Sequence, residues 1–311
     1  ALKKAYIYQI DETTYYLSND IKRQILLNNI YGVDIDLQAV EVTKLSLLLK
    51  MMEDEHIEAG QRLFKHSEYR LLPDLSKNIK CGNSIISEDF YNNKDVTKYN
   101  NDDLRKINAF NWEDKFPNIM NNNKFDCVIG NPPWGAEFNQ DELNYLKNNN
   151  KEIIVRMIDS FMYFIYLSLS KLLSPKDGLW GMIIPDVFLY QNDNYKLREY
   201  LLSNYKPSYI INTGNVFKDV TRPSAIIIAE NKKLKDFKIS VLDINKYENN
   251  QKQIFLNDDK VYQKISKCKI LKLPKTIFIT KDIEKYLIYE KIKQNCNNKL
   301  IDICDKDGIQ R

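Results

Sequence analysis

The residues whose types and spacing invite chemistry are Asn131-Pro132-Pro133-Trp134, directly after the apolar run Phe125-Asp126-Cys127-Val128-Ile129-Gly130. Neither proline has an N–H, so the pair cannot extend a strand ladder; it stiffens the turn and fixes the direction of its carbonyls. An amino group attached to a heteroaromatic base is a poor nucleophile, because its lone pair is delocalised into the ring. Two acceptors, the Asn131 side-chain oxygen and the Pro132 carbonyl, would bind its two hydrogens and turn the lone pair toward an electrophile such as a sulfonium methyl group. Trp134 would stack on a base extruded from a duplex, worth roughly 1–3 kcal/mol. The plainer alternative is an ordinary Pro-Pro turn after a strand.

A second constellation is Tyr31-Gly32-Val33-Asp34-Ile35-Asp36. An acidic residue ending the second strand of a nucleotide-binding fold accepts hydrogen bonds from ribose hydroxyls, and Asp34 fits that role. Asp36 fits a helix cap better. A strand ending in Asp before a helix is also common without any ligand. Asn83, after Lys80-Cys81-Gly82, is either a partner for the adenine edge of a cofactor or a turn residue. In Asn215-Val216-Phe217-Lys218-Asp219-Val220-Thr221-Arg222, Phe217 offers a second face for an extruded base, and Lys218 and Arg222 lie where phosphates would pass. Taken alone, Phe217 and Phe164 read as core. Lys232-Lys233-Leu234-Lys235 and the stretch from Lys267 to Lys275 read as solvated faces.

These residues need a frame, and apolar periodicity supplies alternating strands and helices. Asn19 or Asp20 caps a helix to about Leu27; a strand covers Asn29 to Asp34; Asp36 caps a helix with Val40, Leu45, Leu48 and Leu49 on its apolar face. A short strand runs from Asn78 to Gly82. Residues 88–123, with Asn runs at 92–93, 100–101 and 121–123, read as a long loop with little regular structure. Phe125 to Ile129 reads as a buried strand with Cys127 inside it. Ile158 to Leu173 is helical, Gly178 to Ile184 a strand, Tyr195 to Tyr205 a helix, and Tyr209–Ile211 and Ala225–Ile228 two more strands. This alternation predicts an α/β fold, a mostly parallel sheet with helices on both faces. Ligands bind such sheets at the carboxyl ends of strands, so Asp34, Asn83 and Asn131 are expected to share one site.

Composition narrows the class. The chain has 311 residues, 43% of them hydrophobic, and a net charge of +4, a weak pointer to an anionic partner. No apolar stretch is long enough to span a bilayer, so no membrane partner is expected. The N-terminus carries no secretory signal. Five cysteines, none in a CxxC pair, and two histidines argue for reduced thiols in a cytoplasmic protein and against a zinc site; no metal is expected. Cys127 is not placed as a covalent nucleophile.

The ordered motifs resemble the gamma-type, N6-adenine-specific DNA methyltransferases of restriction-modification systems, most of all the type IIG enzymes that fuse methylase and nuclease. The likeness covers most of residues 20–231. It rests on Ile30 to Asp36 with Ala39-Val40-Glu41-Val42, Gly82-Asn83-Ser84, the Asn131 tetrapeptide, Asp159-Ser160-Phe161 with Phe164, Ile183-Ile184-Pro185, Leu197-Arg198 and Asn215-Val216-Phe217. The resemblance implies a Rossmann-like fold dependent on S-adenosylmethionine. It implies that Asp34 binds the cofactor ribose, Asn83 its adenine edge and Phe164 the adenine ring. Asn131, Pro132, Pro133 and Trp134 would hold the target adenine of double-stranded DNA, with Phe217 on its other face. The family has Tyr or Phe where this chain has Trp134.

The family's Asp-Pro-Ala-Cys-Gly-Ser-Gly-like cofactor loop is not found. Residues 1–295 are therefore expected to be a catalytic core lacking that motif, and 296–311 a linker toward an absent target-recognition domain. Such a fragment is expected to bind cofactor poorly and to be weak or inactive alone, with target-recognition and nuclease domains elsewhere on the polypeptide. Two other functions fit the same residues: methylation of a protein glutamine, and a silent DNA-binding or assembly module.

Overall fold

In the computed structural model the described residues are 7–9, 12–13, 15–53, 72–92, 99–156, 159–217 and 221–278, with 288, 291–292 and 295. Lys218, His56, His66, Cys296, Cys304 and the expected linker 296–311 lie outside them. The chain divides into two compact units, Ala1–Lys115 and Phe116–Arg311.

The first unit holds a β1–β2 hairpin (Ile7–Gln9, Tyr15–Leu17) and a parallel pair, β3 (Gly32–Asp34) and β4 (Ile79–Cys81). Helix α1 (Asn19–Asn29) is capped by Ser18, whose hydroxyl accepts from the Ile21 N–H. Helix α2 (Leu37–Met52) starts at Asp36, which accepts from the Gln38 N–H at 2.8 Å, the capping expected of it. Its Val40 is buried with Leu26, Met51, Leu75 and Ile79, whereas Leu45 and Leu49 are exposed, so the apolar face is narrower than the sequence implies.

The described residues of the stretch 88–123 are not one long loop. They contain a helical turn at Glu88–Tyr91 and helices α3 (Asn101–Ile107), α4 (Trp112–Lys115) and, already in the second unit, α5 (Pro117–Met120). The asparagines that suggest turns are helix punctuation instead. Asn100 and Asp103 form a reciprocal capping box, and Asn108 ends α3 in the left-handed region at φ 44°.

The second unit is built on a six-stranded sheet, ordered β10-β9-β7-β8-β6-β5. Its strands are β5 (Cys127–Gly130), β6 (Leu179–Pro185), β7 (Lys206–Gly214), β8 (Ser224–Glu230), β9 (Lys238–Asp243) and β10 (Gln263–Ser266). The sheet is mixed, which corrects the mostly parallel expectation: β5–β6 and β7–β9 are parallel, while β6–β8, β7–β8 and β9–β10 are antiparallel. The cause is local. Residues 215–223 between β7 and β8 are fewer than the dozen or so that a parallel crossover needs.

Side chains alternate across this sheet. Trp180, Met182 and Ile184 of β6 and Ala225, Ile227 and Ala229 of β8 pack one face against α7 (Ser160–Leu167) and α8 (Tyr195–Asn204) through Phe161, Ile165, Leu197 and Leu201. The other face buries Ile211 and Leu242 under Phe255 and Leu256 of α9 (Asn249–Leu256). Helices thus cover both faces of this unit; α6 (Gln140–Asn149) precedes α7 in the chain. As the last strand of the sheet, β5 is half covered: Val128 packs on the core while Cys127 is exposed and Ile129 is 81% exposed, correcting the buried strand and buried thiol expected there. Lys267, read as solvated, is buried: its ammonium donates to the Leu234 carbonyl at 3.1 Å and lies over the Phe237 ring.

Candidate active site

In the second unit the parallel register of β5 with β6 and the antiparallel pairing of β6, β8 and β7 bring three loops to one sheet edge, the last of them running from β7 into β8. Gly130 ends beside Met182, Pro185 opposes Ser224, and Gly214 opposes the same Ser224. The loops after β5, β6 and β7 and the segment entering β8 therefore leave from this edge, carrying Asn131, Asp186, Phe217 and Arg222 respectively. Asn131 and Pro133 are exposed, Pro132 is buried and Trp134 half-buried against the core. Asn131 thus sits at a strand's carboxyl end and open to solvent, as its proposed chemistry requires.

Trp134 and Phe217, the two expected faces of a base sandwich, touch each other edge to face, with centroids 6.1 Å apart and planes at 69°. The Trp134 indole N–H is buried with no hydrogen-bond partner among the described residues. A Tyr or Phe ring has no such donor to satisfy there. Phe164 of α7 is half-buried, unlike its neighbours Phe161, Met162, Tyr163 and Ile165, which are in the core.

The loop around Asn131 is held by the start of α7, which sequence reading missed. The Gly135 N–H donates to Asp159 Oδ1 at 2.7 Å and the Ala136 N–H to Ser160 Oγ at 3.0 Å. Ser160 Oγ in turn donates to the Pro133 carbonyl at 2.6 Å. Arg222 reaches Asp159 Oδ2 at 3.4 Å, so among the described residues its partner is a carboxylate of this loop's anchor. The loop around Phe217 is held by α9: Lys252 donates to the Asn215 carbonyl at 2.8 Å, and Asn249 to the Val216 carbonyl at 3.3 Å. Burial pulls the Lys252 ammonium below its ordinary pKa. At the same edge, burial raises the Asp186 carboxyl, opposed by the hydrogen bond from Tyr190.

In the first unit Asp34 is exposed at the end of β3, one carboxylate oxygen accepting the Asp36 N–H at 2.8 Å. Asn83 is buried; its Oδ1 accepts from the Ile85 N–H at 3.3 Å, the turn role, and its own N–H donates to the Asn108 carbonyl at 2.6 Å. Asn108, not singled out by the sequence, also donates to Cys81 Sγ at 3.2 Å and to the Ile35 carbonyl at 3.4 Å. It thereby joins the ends of β3 and β4. A Cβ on Gly82 would lie 2.3 Å from the Phe110 ring, which is why this turn takes glycine. Burial, then repulsion from Lys115 and Lys44, lowers the Lys80 ammonium.

No helix among the described residues is long and apolar enough to cross a membrane, and none of their His, Cys, Asp or Glu residues form a group of three suited to a metal ion.

The model of the family described as Eco57I restriction-modification methylase matches residues 28–217. The type II restriction enzyme and methyltransferase RM.Eco57I of Escherichia coli is 30% identical over 259 residues, covering 78% of this chain and 24% of that protein. The type II methyltransferase M.BstVI of Geobacillus stearothermophilus is 36% identical over 113 residues, 35% of this chain and 20% of its own. The chain therefore spans about a quarter or less of the length of these two relatives. Among solved structures, the ATP-dependent type ISP restriction-modification enzyme LlaBIII bound to DNA shares the fold at a TM-score of 0.53 and 17% identity, over 79% of this chain and 18% of that one. A nuclease-deletion mutant of the type ISP enzyme LlaGI with a DNA substrate mimic gives 0.52 and 14%, over 86% and 26%. With the match running from just before Asp34 to Phe217, the chain belongs to the Eco57I restriction-modification methylase family.

Proposed function

We propose that this chain is the methyltransferase core of a restriction-modification enzyme. It would transfer a methyl group from S-adenosylmethionine to the exocyclic N6 of an adenine extruded from double-stranded DNA. The observation that carries the reading is Asn131, exposed at the carboxyl end of β5 on a proline-stiffened loop beside two aromatic rings. The relatives named as methyltransferases, and the DNA held by LlaBIII, support the reaction and the substrate.

The cofactor's chemistry is an electrophilic sulfonium methyl with a neutral thioether as leaving group. Asp34 fits its ribose: the carboxylate is exposed at a strand end and, among the described residues, the backbone engages only one of its oxygens. Asn83 fits less directly, since its side-chain oxygen is used in its own turn, and its part is to shape the rim of β4. Phe164 keeps enough free surface to meet a ring. At the target, Asn131 Oδ1 and the Pro132 carbonyl accept the two amine hydrogens and localise the nitrogen lone pair; as the N–C bond forms, one of these protons leaves to solvent. Trp134 and Phe217 must part to admit a base between them. Arg222 would contact a phosphate while it also meets Asp159, and Lys218, next to Phe217 in sequence, is proposed for the same role.

The test uses the intact protein, methyl-labelled S-adenosylmethionine and unmethylated genomic DNA, with nucleosides analysed by mass spectrometry. N6-methyladenine is expected, and Asn131→Ala should abolish it without unfolding the protein. Normal methylation by Asn131→Ala would overturn the assignment. Label on a protein glutamine instead of DNA would favour the amide-methylating alternative, and no transfer at all the silent module.

A further inference from the structure

We propose that Asp159 and Ser160 are positioning residues for the Asn131 loop, an inference that rests on the methyl-transfer reading above. Asp159 is the N-cap residue of α7, yet its carboxylate makes no capping bond to its own helix. An Asp in that position ordinarily accepts from the N–H two or three residues on. Here Oδ1 accepts the Gly135 N–H at 2.7 Å instead, and lies 3.1 Å from the Ser160 hydroxyl beside it. Ser160, 1% exposed, uses its hydroxyl in both senses, donating to the Pro133 carbonyl at 2.6 Å and accepting the Ala136 N–H at 3.0 Å.

The loop needs such external partners. Pro132 and Pro133 have no N–H to give, so backbone pairing cannot fix it. Gly135 stands at φ +80°, and a Cβ there would meet Arg222 Nη1 at 3.4 Å. Arg222 reaches the other oxygen of Asp159 at 3.4 Å, so one carboxylate joins the loop after β5 to the segment entering β8. Tying the Pro133 carbonyl to Ser160 fixes the Pro133–Trp134 peptide, and the ring-locked φ of Pro133 carries that constraint to the preceding Pro132–Pro133 peptide. The direction of the Pro132 carbonyl, one of the two acceptors for the target amine, is set through that peptide. Displacing such an acceptor by about 1 Å is enough to cost on the order of a hundredfold in rate.

The experiment compares Asp159→Ala, Asp159→Asn and Ser160→Ala in the intact protein, reading kcat and KM for methylation of unmethylated genomic DNA together with the melting temperature. Asp159→Asn keeps an oxygen for the Gly135 N–H and is expected to stay within about threefold of wild-type kcat. Asp159→Ala and Ser160→Ala are expected to lose about tenfold to a hundredfold in kcat, with KM for DNA and cofactor within about threefold. If Asp159→Ala does not fold, Ser160→Ala against Asp159→Asn carries the same contrast. Wild-type kcat in Ser160→Ala, or equal losses in the Ala and Asn variants at position 159, would overturn the positioning role. Asn131→Ala, run alongside, separates the two failures: if it is active, the methyl-transfer reading is wrong; if it is inactive while Ser160→Ala is unimpaired, only the positioning inference is.

Discussion

Arg198 gives the sharpest stability prediction. It is fully buried on α8, with no ion pair among the described residues, and it donates to four backbone carbonyls: Phe188 at 2.7 Å, Gln191 at 2.9 Å, Lys275 at 2.9 Å and Thr276 at 2.9 Å. Burial pulls its guanidinium down to about 10, and the neighbouring Glu199 carboxylate partly offsets this. Arg198→Met keeps most of the volume and removes every donor. Two of those hydrogen bonds, to Phe188 and Thr276, are wholly buried, and each orphaned carbonyl costs about 1–3 kcal/mol. Water reaches the other two more easily. Relief of the buried charge returns part of the loss, leaving a net destabilisation of about 3–5 kcal/mol. For a domain of roughly 200 residues that is a fall in Tm of about 6–20 °C. Arg198→Lys keeps a charge but has three donors for four acceptors, and should fall between. Urea unfolding followed by tryptophan emission reads this directly, because Trp180 lies in the same core. A Met variant within about 1 kcal/mol of wild type would show that these carbonyls do not depend on the guanidinium.

Further outcomes follow from other contacts. Glu230 faces Lys206 across β7–β8; hydrogen bonds from Lys206 and Ser208, both at 2.6 Å, hold its carboxyl at about 2 instead of 4.5. Since the folded value is the lower, this stabilisation is complete above about pH 4.5 and drains away toward pH 2; partial solvent access limits it to about 1–2 kcal/mol. Glu230→Gln should therefore be less stable at pH 7 and converge with wild type near pH 2, and a gap that ignores pH would refute the cause. Gly82→Ala drives a methyl into the Phe110 ring and should destabilise the protein by about 1–3 kcal/mol on thermal melting; an unchanged Tm would mean the turn relaxes freely. Trp134→Ala should weaken base capture by roughly 1–3 kcal/mol in equilibrium DNA binding. Trp134→Phe, which removes the unpartnered indole N–H, should hold stability within about 1 kcal/mol and keep activity within a few-fold.

What the sequence made legible is whatever has a local signature. Helices α1, α2, α7 and α8, strands β3 to β8, the Asp36 cap and the placement of Asn131 just past β5 all reflect neighbours a few residues apart. Strand direction has no such signature, and β8 runs antiparallel because of the short 215–223 connection, so the parallel sheet was over-read. Asparagine serves turns and caps equally well, which hid α3 behind Asn100. The anchors Asp159, Ser160, Asn249 and Lys252 act on loops 24–37 residues away in sequence, so nothing beside them marks the role.

The contact between Trp134 and Phe217 has a consequence for selectivity. If the two rings hold a base as proposed, they close the gap between them at rest, and an edge-to-face pair of this kind is worth about 0.5–1.5 kcal/mol. Every planar guest must first displace that contact, so its measured affinity is lowered by up to about tenfold against an open slot. Weakly stacking visitors are turned away, while a ring that also satisfies Asn131 gains enough to hold the walls apart.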